Sequence, residues 1–283
     1  MRVFALFVAL VAALTTFAHP GAAIAVANDG RVWFVDTGGG VFSFHNGRVA
    51  RHEGAAYHWF AFDPQGRFRN TRWPHIPGGT ITVAGPVILS SDLPVTIGTD
   101  GIFYYPEGGR RIVGVRPNGT TSVRATLPGT QQWINGLAPG PDGTLYYTED
   151  AAVRKIDTRG RVTTVAERIA VPNCVSIPGN TRPYLRGLAV APDGTVYVAA
   201  SGCGALLKID PRGRVAPLLR TSSPWAATDV ALRDGEVYVL EYSHTVSEED
   251  RTLWFPRVRK IGRDGKVTVV GQITARERAA TRR

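Results

Sequence analysis

Four chemically capable side chains stand at the entries of short apolar runs: His58, Asn135, Arg186 and Asp229. Four carboxylates, Asp36, Glu149, Asp150 and Glu241, stand where neighbouring runs end. Oxygen donors gathered around one amide suit a hard cation, which makes Asn135, Glu149 and Asp150 a candidate metal set for calcium or another divalent ion. His58 and His244 have the chemistry of a general base, although neither lies in a recognisable motif. Arg186 offers a guanidinium fork that fits a carboxylate or phosphate. Each also has a plainer reading: Asn135 as a turn residue, Arg186 in an ion pair with a neighbouring unit, the carboxylates solvated, and the histidines isolated. His58, Asn135, Arg186, Asp229 and Glu241 are the ligand-binding candidates.

The elements that must position these groups repeat. Asp-Gly or a close relative follows an apolar alternating run at Asp29-Gly30, Gln65-Gly66, Asp100-Gly101, Asp142-Gly143, Asp193-Gly194 and Asp234-Gly235. The glycines lie 35 to 51 residues apart. Such turns between strands of period two signal hairpins, because Asp and Gly tolerate the backbone that tight turns require. A second turn follows at Asn46-Gly47, Asn118-Gly119, Arg159-Gly160, Arg212-Gly213 and Asp264-Gly265, and only the second unit lacks a clear one.

Four antiparallel strands per unit, repeated six times, predict an all-β, six-bladed β-propeller. The expected blades span roughly 22–54, 55–91, 92–128, 129–170, 183–221 and 225–273. Chain order then follows blade order, so no strand is exchanged to close the ring. Tight Asp-Gly turns leave little room at their end of the channel, and the functional face is expected at the opposite end. The insertions Val171–Pro183 and Ser243–Pro256 fall there as pocket walls or as decoration. Trp59, Trp73, Trp133, Trp225 and Trp254 either pack between blades or form a surface for protein or glycan.

The segments GLAVAPDGTVYV (187–198) and LLKIDPRGRV (206–215) resemble NHL repeats and the related senescence-marker-protein/gluconolactonase propellers, across nearly the whole chain beyond its first residues. The resemblance implies a fold that carries lactone hydrolases, lyases and non-catalytic binding scaffolds alike. Tyr146–Asp150, preceded by Asn135-Gly136-Leu137, is similar to the fourth-blade motif of the gluconolactonase-like group, which implies Asn135 as a metal ligand. The chain departs from that pattern at Leu185-Arg186-Gly187, where the group has an aspartate, and at Gly21–Val26, where it has a glutamate. Metal-assisted hydrolysis needs those ligands to polarise a carbonyl and activate water.

The bulk properties set the remaining expectations. Residues 1–18 combine Arg2, an apolar run and the small-residue site Thr16-Phe17-Ala18, which reads as a secretory signal peptide, leaving a single domain over 19–275 and a basic tail over 276–283. The chain is therefore expected to be exported, periplasmic or secreted, with no membrane span in its mature form. The 283 residues carry a formal charge of +10, scattered rather than grouped, so no nucleic-acid partner is expected. The two cysteines, Cys174 and Cys203, fall on one face of the fifth blade and are expected to pair. These readings point to a monomeric scaffold binding a small molecule or extracellular partner at the channel mouth, with a metal-dependent lactonase or esterase as the alternative.

Overall fold

The computed structural model describes residues 21–37, 39–53, 57–77, 79–129, 133–174, 183–243 and 253–280. The chain forms six antiparallel sheets arranged as a six-bladed propeller. The first blade comprises β1 (Ile24–Val26), β2 (Val32–Asp36), β3 (Gly40–His45) and β4 (Arg48–Glu53). The second has β5 (Trp59–Phe62), β6 (Ile81–Ala84) and β7 (Val87–Ser90). In the third are β8 (Thr96–Ile97), β9 (Phe103–Glu107), β10 (Arg111–Val115) and β11 (Thr121–Thr126). The fourth holds β12 (Gly136–Pro139), β13 (Leu145–Thr148), β14 (Val153–Ile156) and β15 (Val162–Ala166). The fifth contains β16 (Leu185–Val190), β17 (Val196–Ala200), β18 (Ala205–Ile209) and β19 (Val215–Arg220). The sixth is built from β20 (Ala226–Arg233), β21 (Glu236–Tyr242), β22 (Pro256–Ile261) and β23 (Val267–Gln272).

Turn chemistry explains the repetition. In the first, third and fifth blades the turn aspartate, Asp29, Asp100 or Asp193, accepts the backbone N–H two residues on, at 3.0, 3.1 and 2.9 Å. The following glycine takes a positive φ of 81°, 76° or 84°. Aspartate closes the turn through its side chain, and glycine bears the backbone angle that other residues resist.

The second blade departs from the expected meander. Gln65-Gly66 does turn, with the Gly66 N–H on the Asp63 carbonyl at 3.0 Å, but it joins no two neighbouring strands. β6 instead takes the outer edge and β7 returns between it and β5, giving three strands in the order β5-β7-β6. The buried Asp63 holds this detour by accepting the Phe68 N–H at 3.0 Å, and the fully buried Phe68 ring stacks on Trp73. The other five blades have four strands in chain order.

Burial follows from blades stacked face to face. The second strand β2 is buried along its whole length, whereas the outermost β23 is largely exposed. Six apolar clusters fill the six seams between adjacent blades. Packing at the last seam, between the sixth blade and the first, joins Phe34, Phe42 and Phe44 to Leu240, Tyr242 and Val258. Among the described residues no strand is exchanged between blades. A six-residue helix, α1 (Ala275–Ala280), follows β23 and buries Arg278 against Asp36 of the first blade, so part of the supposed basic tail is an internal strut. Cys174 and Cys203 form the expected disulfide, Cα–Cα 4.9 Å, tying the connection before the fifth blade to that blade.

Candidate functional site

The innermost strands β1, β5, β8, β12, β16 and β20 contribute to the walls of a central cavity of about 310 Å³. A propeller directs these strands along its axis, so each blade supplies main chain and small side chains to one channel. Among the lining residues only Thr96 and Asp229 carry polar side chains, and Asp229 is the sole ionisable one. Along β16, Leu185 to Leu188 are buried while Ala189 and Val190 are half-exposed; along β20, Ala226 to Ala231 are buried and Leu232 is half-exposed. The same change occurs between Ile24 and Ala25. On these three strands exposure rises toward the Asp-Gly end.

Two glycines narrow the other end. A Cβ on Gly136 would lie 2.5 Å from the Arg186 carbonyl oxygen, and one on Gly187 would lie 1.8 Å from Asp229 Oδ1. Neighbouring inner strands approach this closely only because those positions have no side chain. Thr148 Oγ1 donates to the Arg186 carbonyl at 2.8 Å, and the Asn135 N–H donates to the Thr148 carbonyl at 3.1 Å. Arg186 is fully buried behind this neck. Its pKa is pulled down by burial and held up by Tyr184, Tyr242 and Asp229 around it. The Tyr242 hydroxyl donates to the Val35 carbonyl and accepts the Thr37 N–H at 3.3 Å, closing the layer between the first and sixth blades.

Asp229 accepts the Ile24 N–H at 3.1 Å on Oδ2 and its neighbour Val230 N–H at 2.8 Å on Oδ1. Burial raises its carboxyl from an ordinary 3.8 to about 7, overcoming the opposing pull of those two N–H donors and of Arg186. In an unfolded chain the group ionises near its ordinary value. Between about pH 4 and 7 the folded state therefore keeps a proton that the unfolded state has released, and stability falls as pH rises. The full shift corresponds to about 4 kcal/mol. Subtracting the urea stability profile of Asp229→Asn from that of wild type is expected to give a downward slope across this window. A flat difference would remove Asp229 as the buried acid.

The remaining candidates are scattered or already engaged. Glu241 is not at the channel: it is buried between blades and accepts hydrogen bonds from Arg257 and Arg259, with Arg257 stacked 4.1 Å from the Trp225 ring. Glu149 is paired with Arg154 at 3.3 Å, and Asp150 is exposed. His58, half-buried, donates from Nδ1 to the Ser91 carbonyl, which fixes its ring at the entry of β5. His244 lies outside the described residues. Trp59 and Trp254 are buried, Trp73 and Trp225 half-buried, and Trp133 is 73% exposed.

Among the described residues no three His, Cys, Asp or Glu side chains converge on a point where they could hold a metal ion. The grouping of Arg186 with Asp229 and Tyr242 and the two-glycine neck were not anticipated. The parallel Asn135-Gly136-Leu137-Ala138 and Arg186-Gly187-Leu188-Ala189 could have pointed to the neck, since both place glycine at one level of an inner strand.

No family model matches the sequence, and no curated protein matches it. Solved structures do resemble the fold. Virginiamycin B lyase from Staphylococcus aureus aligns over 91% of this chain and 86% of its own, at 14% identity and a TM-score of 0.54. A gluconolactonase from Xanthomonas campestris aligns over 77% and 81%, at 15% identity and 0.56. Regucalcin, a calcium-binding protein from Agrobacterium tumefaciens, aligns over 78% and 81%, at 14% identity and 0.52.

Proposed function

We propose that this β-propeller is an exported binding scaffold that takes a small molecule into its central channel, with Asp229 as the group that orients it. The observation that carries the reading is the cavity itself: about 310 Å³, shared by all six blades, apolar in its walls, with one buried carboxyl and one threonine. Small-ligand sites have this make-up, a mostly apolar concavity with few polar groups that set orientation. Export is supported by the signal-like residues 1–18, which lie outside the described residues, and by the Cys174–Cys203 disulfide, which suits an oxidising compartment. No helix among the described residues is long and apolar enough to cross a membrane.

Metal-dependent hydrolysis of a lactone or ester is the weaker reading. Gluconolactonase and regucalcin share the fold, but among the described residues no three His, Cys, Asp or Glu side chains gather to hold a metal ion. A fragment screen followed by methyl NMR separates the two readings. Saturable shifts confined to the channel alanines Ala25, Ala138, Ala189 and Ala231 are the expected result. Calcium-dependent thermal stabilisation abolished by Asn135→Ala, with no fragment shifting those methyls, would overturn the proposal in favour of the metal enzyme.

A further inference from the structure

We propose that the channel selects a small organic cation, an alkylammonium group on a compact apolar body, which enters from the Asp-Gly end and pairs its nitrogen with Asp229. The inference rests on the channel-binding reading and adds a ligand class and a direction of entry. Its first support is the lining. Apart from Thr96 and Asp229 every side chain facing the cavity is hydrocarbon or absent, so an alkyl body gains apolar contact while one charged or hydrogen-bonding group finds one carboxyl. The second support is the state of that carboxyl. Asp229 is buried by the fold itself, so its desolvation is met on folding, and an ammonium ion meets a carboxylate that needs little further stripping of water.

The two backbone donors on Asp229, from Ile24 and Val230, occupy one site on each oxygen and leave acceptor capacity on both. Arg186 on the neighbouring inner strand also acts on the carboxylate, opposing its burial. The strand β1 carries no ionisable residue, and on β21 Glu236 and Glu241 are engaged by Lys260 and by Arg257 and Arg259. The third support is the exposure gradient along β1, β16 and β20, which runs from buried at Ile24, Leu188 and Ala231 to partly exposed at Val26, Val190 and Leu232.

The test compares isobutylamine with isobutanol, two probes of equal shape, by titration of the channel methyl signals in the full protein. Isobutylamine is expected to bind at least about tenfold more tightly at pH 8, with its advantage shrinking as pH falls below the Asp229 transition. Asp229→Asn should erase the preference while retaining isobutanol binding. Val190→Trp and Leu232→Trp, each checked for folding by its thermal transition, should block both probes. Equal binding of amine and alcohol by wild type would overturn the cation class while leaving channel binding intact. If neither probe nor any screened fragment reaches the channel, the underlying function fails instead. Selective amine binding that survives both tryptophan substitutions would overturn entry from the Asp-Gly end.

Discussion

Gly187→Ala is expected to destabilise the protein by about 3 kcal/mol or more and to displace the Asp229 carboxylate, because the added methyl overlaps a buried side chain held by its own hydrogen bonds. The added Cβ would stand 1.8 Å from Asp229 Oδ1 and 2.7 Å from Asp229 Cβ, far inside van der Waals contact. Rotation of the Asp229 side chain would break its bonds to the Val230 N–H and to the Ile24 N–H, the latter tying the sixth blade to the first. Chemical denaturation gives the cost, and a double-mutant cycle with Asp229→Gly assigns it. In that background the alanine should cost much less, since both the carboxylate and the Cβ it meets are gone. Equal costs in the two backgrounds would mean that the neck is not the reason for glycine at 187. The same substitution should abolish the amine preference, linking the packing of two inner strands to ligand choice.

Arg278→Ala is expected to lower stability by about 3–5 kcal/mol, the range for removing one member of a buried ion pair and leaving its partner charged. The guanidinium donates to both carboxylate oxygens of Asp36, at 2.9 and 2.7 Å, and to the Trp254 carbonyl, and it stacks 4.4 Å from the Phe255 ring. These contacts join α1 to β2 of the first blade and to the connection entering β22 of the sixth. Reciprocal capping positions the helix: the Thr274 N–H donates to Glu277 Oε2 at 2.8 Å, and the Glu277 N–H donates to Thr274 Oγ1 at 3.2 Å. In a ring whose blades exchange no strand, this strut reinforces the seam where the chain ends meet. Arg278→Met with Asp36→Leu should recover most of the loss, because a paired apolar replacement leaves no buried charge. A loss below about 1 kcal/mol for Arg278→Ala would show that apolar packing alone closes the ring.

Much of the architecture was legible because it is written in local chemistry. Asp29-Gly30, Asp100-Gly101 and Asp193-Gly194 form turns through contacts spanning two residues, and the apolar alternation around them fixes which strand faces pack. Six copies of that signal, each followed by four-strand content, imply six blades. Cys174 and Cys203 could be paired because both fall near one blade. The second blade was misread in detail because Gln65-Gly66 has the local form of a hairpin turn, while the route of 63–80 depends on where Asp63 and Phe68 become buried.

The candidate site was legible only in part. Sequence position picked out Arg186 and Asp229 separately, but their juxtaposition depends on the rotation between the fifth and sixth blades, which no local pattern encodes. Glu241 and Glu149 looked like free carboxylates at strand ends, yet arginines from adjacent strands engage them. Sequence by itself determined the repeat, its turns and the all-β class, since those arise from backbone preference and period-two burial within a few residues. Tertiary structure alone decided that Gly187 yields space to Asp229 and that Arg278 reaches Asp36, since each contact exists only after the ring has closed.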